Sequence, residues 1–167
     1  MTNVKRFDAS DGTEIGRARS DRGPILRVGE ESGGGFSLVE HPIPPRTLAA
    51  PVHRHSKEDE YSYVLEGQLG ALLGDDVVYA EAGDLAFKPR DQWHAFWNAG
   101  DTVCRILEII SPAGFEHYFD DVAEARESRR ELGARYGLEV DLDRDAELCK
   151  DHDLRFPRPT DGRGPSD

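Results

Sequence analysis

His53 and His55 stand two residues apart in PVHRHSKEDEYSYVLEG, residues 51–67, and Glu60 follows five positions after the second histidine. In a β-strand, residues i and i+2 project from the same face, roughly 7 Å apart along the backbone. Two imidazoles on one face, with a carboxylate close by, can converge on a single atom, and metal ions are the usual reason for that arrangement. A third imidazole, His94, lies in GDLAFKPRDQWHAFWN, residues 83–98. Read as a strand, that run puts His94, Phe96 and Asn98 on one face and Trp93, Ala95 and Trp97 on the other. Three imidazoles and one carboxylate suit one divalent transition metal ion (Fe, Mn, Ni, Co, Cu or Zn) and leave coordination positions for water or substrate.

The elements that must position these residues are short. From Pro24 to Ser111 the runs PILRV, FSLVEHP, EYSYVLEG, QLGALLG, DVVYAE, DLAFKP, WHAFWNA and TVCRILEII alternate with turn signals. GDD at 74–76 marks a hairpin, and AGD at 82–84 and NAG at 98–100 mark turns. Strands at this spacing predict an all-β sandwich or barrel. After Pro112 the period changes: Phe115, Tyr118, Phe119, Val122 and Ala123 recur at helical spacing, followed by Leu132 and Tyr136. One or two amphipathic helices are expected there, with Gly133 and Gly137 as weak points or stops, and the aromatic stripe packed on the barrel. The division is an N-terminal arm at 1–22, a barrel at 23–112, and a helical extension with a loose tail at 113–167, the tail starting at DLRFPRPTDGRGPSD.

The two stretches resemble the paired signature motifs of the cupin superfamily. The first runs His53-x-His55, four residues, Glu60, six residues, Gly67; the second runs Gly83, five residues, Pro89, four residues, His94, three residues, Asn98. The resemblance covers roughly residues 24–111 and implies a cupin jelly-roll barrel, here with a C-terminal helical extension. It also implies that His53, His55, Glu60 and His94 are the metal ligands. Two turn glycines of the usual pattern are replaced, by Thr47 and by Asp91.

If Glu60 points inward, alternation puts Ser62 and Val64 inward as well and Tyr61, Tyr63 and Leu65 outward. Ser62 then leaves room beside the metal, with Phe96 and Phe87 as apolar wall; together these residues describe a small-molecule substrate site. Glu58 and Asp59 read as solvated turn residues, with a supporting place behind the metal ligands as the alternative for either. An outward face carrying Tyr61, Tyr63, Trp93 and Trp97 is too apolar to stay wet. The C-terminal helices or a second subunit must cover it, and the resemblance favours a homodimer. SPAGFEHYFDD resembles the segment that follows the barrel in single-domain quercetinase-like cupins, which implies substrate contacts from Phe115, Tyr118 and Phe119. The same resemblance implies that Glu60 is also catalytic, a base for a substrate hydroxyl if its pKa is tuned towards neutrality. The expected activity is that of a metal-dependent dioxygenase. The alternatives are a non-redox metal cupin (isomerase, lyase or polyketide cyclase) and a cupin that binds a small molecule without catalysis.

Composition excludes several other classes. A formal charge of −12 disfavours a nucleic-acid partner, which needs a basic face. No apolar run is long enough to span a bilayer, and MTNVKRFDASDGTEIG lacks the apolar centre of a signal peptide, so the expected location is cytoplasmic. The two cysteines, Cys104 and Cys149, form no Cys-x-x-Cys; Cys104 reads as a reduced core residue.

Overall fold

The computed structural model describes residues 13–14, 24–26, 29–30, 32–124 and 129–156. Most of the expected arm, and the tail from residue 157 on, lie outside the described residues. Among the described residues, eleven strands and three helices follow one another. The strands are β1 (Thr13–Glu14), β2 (Pro24–Leu26), β3 (Ser37–Ile43), β4 (Leu48–His55), β5 (Asp59–Glu66), β6 (Gln68–Leu73), β7 (Asp76–Glu81), β8 (Leu85–Lys88), β9 (His94–Asn98) and β10 (Cys104–Ser111). Then come α1 (Glu116–Glu124), α2 (Arg129–Tyr136), β11 (Leu138–Val140) and α3 (Leu142–Asp151).

Two antiparallel sheets face each other, one in the order β1-β2-β3-β10-β5-β8 and the other β11-β4-β9-β6-β7. This is the all-β architecture expected, with small helices after the barrel. The expected hairpin is present: β6 pairs with β7 through Leu73↔Asp76, and Gly74 in the turn takes φ +67°. Gly67 and Gly83, at the other reversals, also have positive φ, which glycine adopts without a Cβ clash.

Strand alternation sorts the side chains. On β5, Glu60, Ser62 and Val64 are buried while Tyr63 and Leu65 are exposed, as the sequence predicts. Between the sheets, Ile43, Val64, Leu69, Ala71, Ala80, Ala86, Phe96, Cys104 and Ile106 form an apolar floor, with Cys104 a free, buried thiol. A second cluster lies on the outer face of the second sheet, where Leu148 of α3 packs with Leu48, Val52, Leu72, Ala95 and Trp97. Gly70 makes that packing possible, because a Cβ there would stand 2.2 Å from the Trp97 ring. A third cluster, of Val39, Ile110 and Phe115 flanked by Tyr118, Phe119, Tyr136 and Leu138, closes one end of the barrel with the aromatic stripe of the extension.

The extension does more than the one or two helices expected. α2 stops at Gly137, but β11 then pairs antiparallel with β4, setting Leu138 opposite His55 and Val140 opposite His53. The strand that carries two histidines is thereby braced on its outer edge. Nor does the chain loosen at Asp153: Arg155 exchanges backbone hydrogen bonds with Leu48 (2.9 Å) and Arg46 (2.7 Å), and Leu154 and Phe156 join the second cluster. Cover on the outward aromatics is therefore divided. Trp97 is buried under α3, whereas Tyr63, Leu85 and Phe87 on the first sheet stay 39%, 55% and 45% exposed.

Candidate metal centre

His53 and His55 come from β4, Glu60 from β5 and His94 from the first position of β9. The β4–β9 register places His53 directly opposite His94, after an irregularity between Ala50 and His53. One ligand atom from each of the four residues lies within 4.8 Å of the others. All four side chains are buried, at 7%, 1%, 5% and 1% exposure for His53, His55, Glu60 and His94. Glu60 reaches both neighbours: Oε1 is 3.2 Å from His55 Nε2, and Oε2 is 3.2 Å from His94 Nε2.

Each imidazole is oriented from behind. His53 Nδ1 stands 2.6 Å from the Pro51 carbonyl and His94 Nδ1 stands 3.0 Å from the Gln92 carbonyl. A carbonyl only accepts, so both Nδ1 atoms donate, and in the neutral ring each Nε2 then keeps a lone pair. His55 Nδ1 faces a carboxylate, Glu58 Oε2, at 3.5 Å. Glu58 is buried, not the solvated turn residue expected, because its place just before β5 tucks it behind the His55 ring. Asp59, in contrast, is held at the surface by Arg90, with 2.8 Å between Arg90 Nη2 and Asp59 Oδ2.

The electrostatics separate the histidines. Burial together with the neighbouring His94 and His55 holds the His53 pKa well below its ordinary range. Burial opposes a charge on His55 too, but Glu60 and Glu58 outweigh it and lift the pKa from 6.5 to about 9. For Glu60, burial favours the neutral acid, yet Lys88, His55 and His94 prevail and keep its pKa well below the carboxylate range. These surroundings do not tune Glu60 towards neutrality, so they offer no support for it as a proton-accepting base.

These residues fit a metal ion. His55 Nε2 and His94 Nε2 are buried without a hydrogen bond, although an atom left so costs about 1–3 kcal/mol. Both lie 3.2 Å from a Glu60 carboxylate oxygen. A cation between them and Glu60 would satisfy both with the donor set that divalent transition metals prefer.

The remaining expected site residues divide. Phe96 is buried and faces inward, with Lys88 Nζ 4.2 Å from its ring centroid. Ser62 is fully buried, and its hydroxyl donates to Glu108 Oε2 at 2.7 Å, so it serves a buried carboxylate instead of opening space. Phe115 packs edge-on against His55, with ring centroids 4.3 Å apart, and it stacks in turn on Tyr118. Phe119 meets Phe115 edge-on at 5.6 Å. Phe87 is a correction. It points out of the barrel and stacks on Tyr61 at 4.7 Å, because the β5–β8 register sets Lys88 opposite Glu60 and so gives the inward positions to Ala86 and Lys88.

Sequence reasoning missed Lys88 and Glu108 and held a supporting role for Glu58 only as an alternative; all three are buried. Lys88 Nζ lies 2.8 Å from Glu108 Oε1 and 3.1 Å from Glu60 Oε2. Burial works against the ammonium, but Glu108 and Glu60 more than compensate and raise its pKa. Strand parity was the available signal for Glu108: in CRILEIIS it shares a face with the buried Cys104, Ile106 and Ile110.

Comparison with known proteins agrees with this architecture. Residues 40–110 match the cupin domain family Cupin_2. A stretch of 60 residues, 36% of the chain, is 33% identical to the tetracenomycin polyketide synthase protein TcmJ of Streptomyces glaucescens and spans 40% of that protein's length. Among solved structures, a cupin-superfamily sugar phosphate isomerase from Silicibacter pomeroyi superposes with a TM-score of 0.53 at 23% identity, covering 65% of this chain and 76% of that one. An uncharacterized conserved protein with a double-stranded β-helix domain from Klebsiella pneumoniae gives 0.52 at 16% identity, covering 66% and 91%. At such identities the two structures speak for the fold alone. The stretch that matches the cupin domain model, residues 40–110, is the part of the barrel that gathers the three histidines and Glu60.

Proposed function

We propose that this protein is a metal-dependent enzyme acting on a small, oxygen-bearing organic substrate, in the first place as a dioxygenase. The observation that carries the reading is the convergence of His53, His55, Glu60 and His94 on one buried point. A divalent transition metal bound there supplies Lewis acidity towards a phenolic or enolic oxygen and, when redox-active, a means of bringing O2 and substrate together.

The chain's own residues have distinct parts. The rings of His53 and His94 are held through Nδ1 by the Pro51 and Gln92 carbonyls behind them. Glu58 orients His55 and stabilises a proton on that ring until a cation takes its place. Phe115, lying on His55, screens the centre from water and offers an aromatic face to a planar substrate. Tyr118 and Phe119 extend that face. The protein works as a homodimer, a reading supported by the exposed Tyr63, Leu85 and Phe87 on one sheet face.

Oxygen consumption tests the activity. Metal-stripped protein is reconstituted separately with Fe(II), Mn(II), Ni(II), Co(II) and Zn(II), then offered flavonols, diketones and catechols. Uptake should require a redox-capable metal and vanish in Glu60→Ala. Full metal loading with no uptake would transfer the proposal to a non-redox reaction, in which the same centre polarises a carbonyl for isomerisation, lyase chemistry or polyketide cyclisation. The likeness to the polyketide synthase protein TcmJ over 60 residues favours that second reading.

A further inference from the structure

Beside Glu60 lies a row of inward-facing residues that metal ligation does not use. Lys88 on β8 is opposite Glu60 on β5, and Glu108 on β10 is opposite Ser62 on β5. Lys88 and Ser62 are each 0% exposed and Glu108 is 2% exposed. Glu108 spends one oxygen on each neighbour: Oε1 is 2.8 Å from Lys88 Nζ, and Oε2 accepts from Ser62 at 2.7 Å. The ammonium, fixed between Glu108 and the Phe96 ring, then reaches Glu60 Oε2 at 3.1 Å.

Burying an ammonium costs several kcal/mol even when it is paired, and an apolar replacement is often as stable. Packing alone therefore does not account for Lys88. Its geometry has a specific consequence. Glu60 Oε1 faces His55 Nε2, a candidate metal ligand, whereas Oε2 is already engaged by Lys88, which is not one. A carboxylate with one oxygen held by an ammonium has only the other fully available to a metal ion.

We infer that Lys88, braced by Glu108 and Ser62, is a positioning residue that restricts Glu60 to ligation through one oxygen and so reserves a coordination position for an exogenous ligand. This rests on the metal-binding reading above. Three imidazoles and one oxygen fill four positions, and a second Glu60 oxygen would occupy the place that substrate or O2 needs.

The test uses the full chain loaded with Co(II), with azide as the exogenous ligand. Metal content is measured, and azide binding is followed through the cobalt absorption bands. The main variant is Lys88→Met combined with Glu108→Gln, which replaces an ion pair by a neutral pair and leaves the net charge unchanged. It should hold one cobalt per chain while binding azide ~10-fold more weakly or worse. Lys88→Arg keeps donors on Oε2 and should bind azide as the native chain does. A double variant with native azide affinity, or one that no longer holds cobalt, would overturn the inference. X-ray absorption of the native cobalt protein gives an answer independent of any variant's folding: a carboxylate bound through one oxygen is expected, and one bound through both contradicts it. Native protein that takes up no cobalt would instead defeat the metal-binding reading, and this inference with it.

Discussion

The Asp91 amide donates to the His55 carbonyl at 2.6 Å, tying the loop that leads to His94 to the strand end that carries the other two histidines. Asp91 makes this bond with φ at +64°, in a position where the motif resembled here usually has glycine. Aspartate tolerates the left-handed region better than most side chains, and a β-branched residue tolerates it poorly. Asp91→Gly should therefore match native stability and metal content. Asp91→Val should cost about 1–2 kcal/mol in a denaturant titration. Equal stability of the two variants would show that the loop does not depend on this conformation.

Glu58 supports the centre without joining it. Its carboxylate lies behind His55 at 3.5 Å, and carboxylates so placed commonly govern metal affinity by about 10- to 100-fold. Glu58→Gln should weaken zinc or cobalt binding on that scale in a competition assay with a chelator, with the unfolding midpoint close to native. Native affinity in the variant would reduce Glu58 to a packing residue.

How much of this was legible in the sequence depends on what each feature requires. The convergence of the four candidate ligands was, because alternation puts His53 and His55 on one face of a single strand, and Glu60 and His94 follow at motif spacing. The strands from β5 to β10 were, because each is a short run of strand formers closed near its end by Gly, Asn or Pro. The inward side of β8 was not: LAFK alternates equally well either way, and only its pairing with β5 decides that Lys88 enters and Phe87 leaves. A lysine reads as surface until Glu108, twenty residues further along and two strands away, is known to face it. β11 escaped notice because LEV is too short and too polar to announce a strand.

Asp145 gives a pH-dependent handle on β4, the strand that carries His53 and His55. Its Oδ1 accepts from the Val52 amide at 2.6 Å, while Oδ2 is buried without a partner. Burial raises its pKa above the ordinary 3.8, and Asp141 adds to the rise against the pull of the Val52 amide. The folded chain then holds this proton more tightly than the unfolded chain, so Asp145 subtracts stability as pH climbs from about 4 through its raised pKa. Asp145→Asn keeps the acceptor for Val52 and removes the charge. Relative to the native chain it should gain on the order of 1 kcal/mol between pH 4 and pH 7 in thermal unfolding. A gap that does not change with pH would contradict this reading.

The proposed dimer can be tested on the first sheet. Tyr61 stacks on Phe87, Tyr63 pairs with Leu85 in register, and Leu85 and Phe87 are among the most exposed apolar side chains described. Sedimentation should show a dimer for the native chain and a monomer for Leu85→Glu combined with Phe87→Glu, with unchanged circular dichroism. A native monomer, or a variant that remains dimeric, would remove this face as the interface.

The central claim is that His53, His55, Glu60 and His94 form one metal site, and metal content per chain tests it most directly. Native protein, stripped and reloaded with Co(II) or Zn(II), should retain close to one ion per chain after desalting. His53→Ala and His94→Ala should each fall well below that while keeping the barrel's circular dichroism, since each loses one of four converging ligands. Native metal content in both variants would contradict the account.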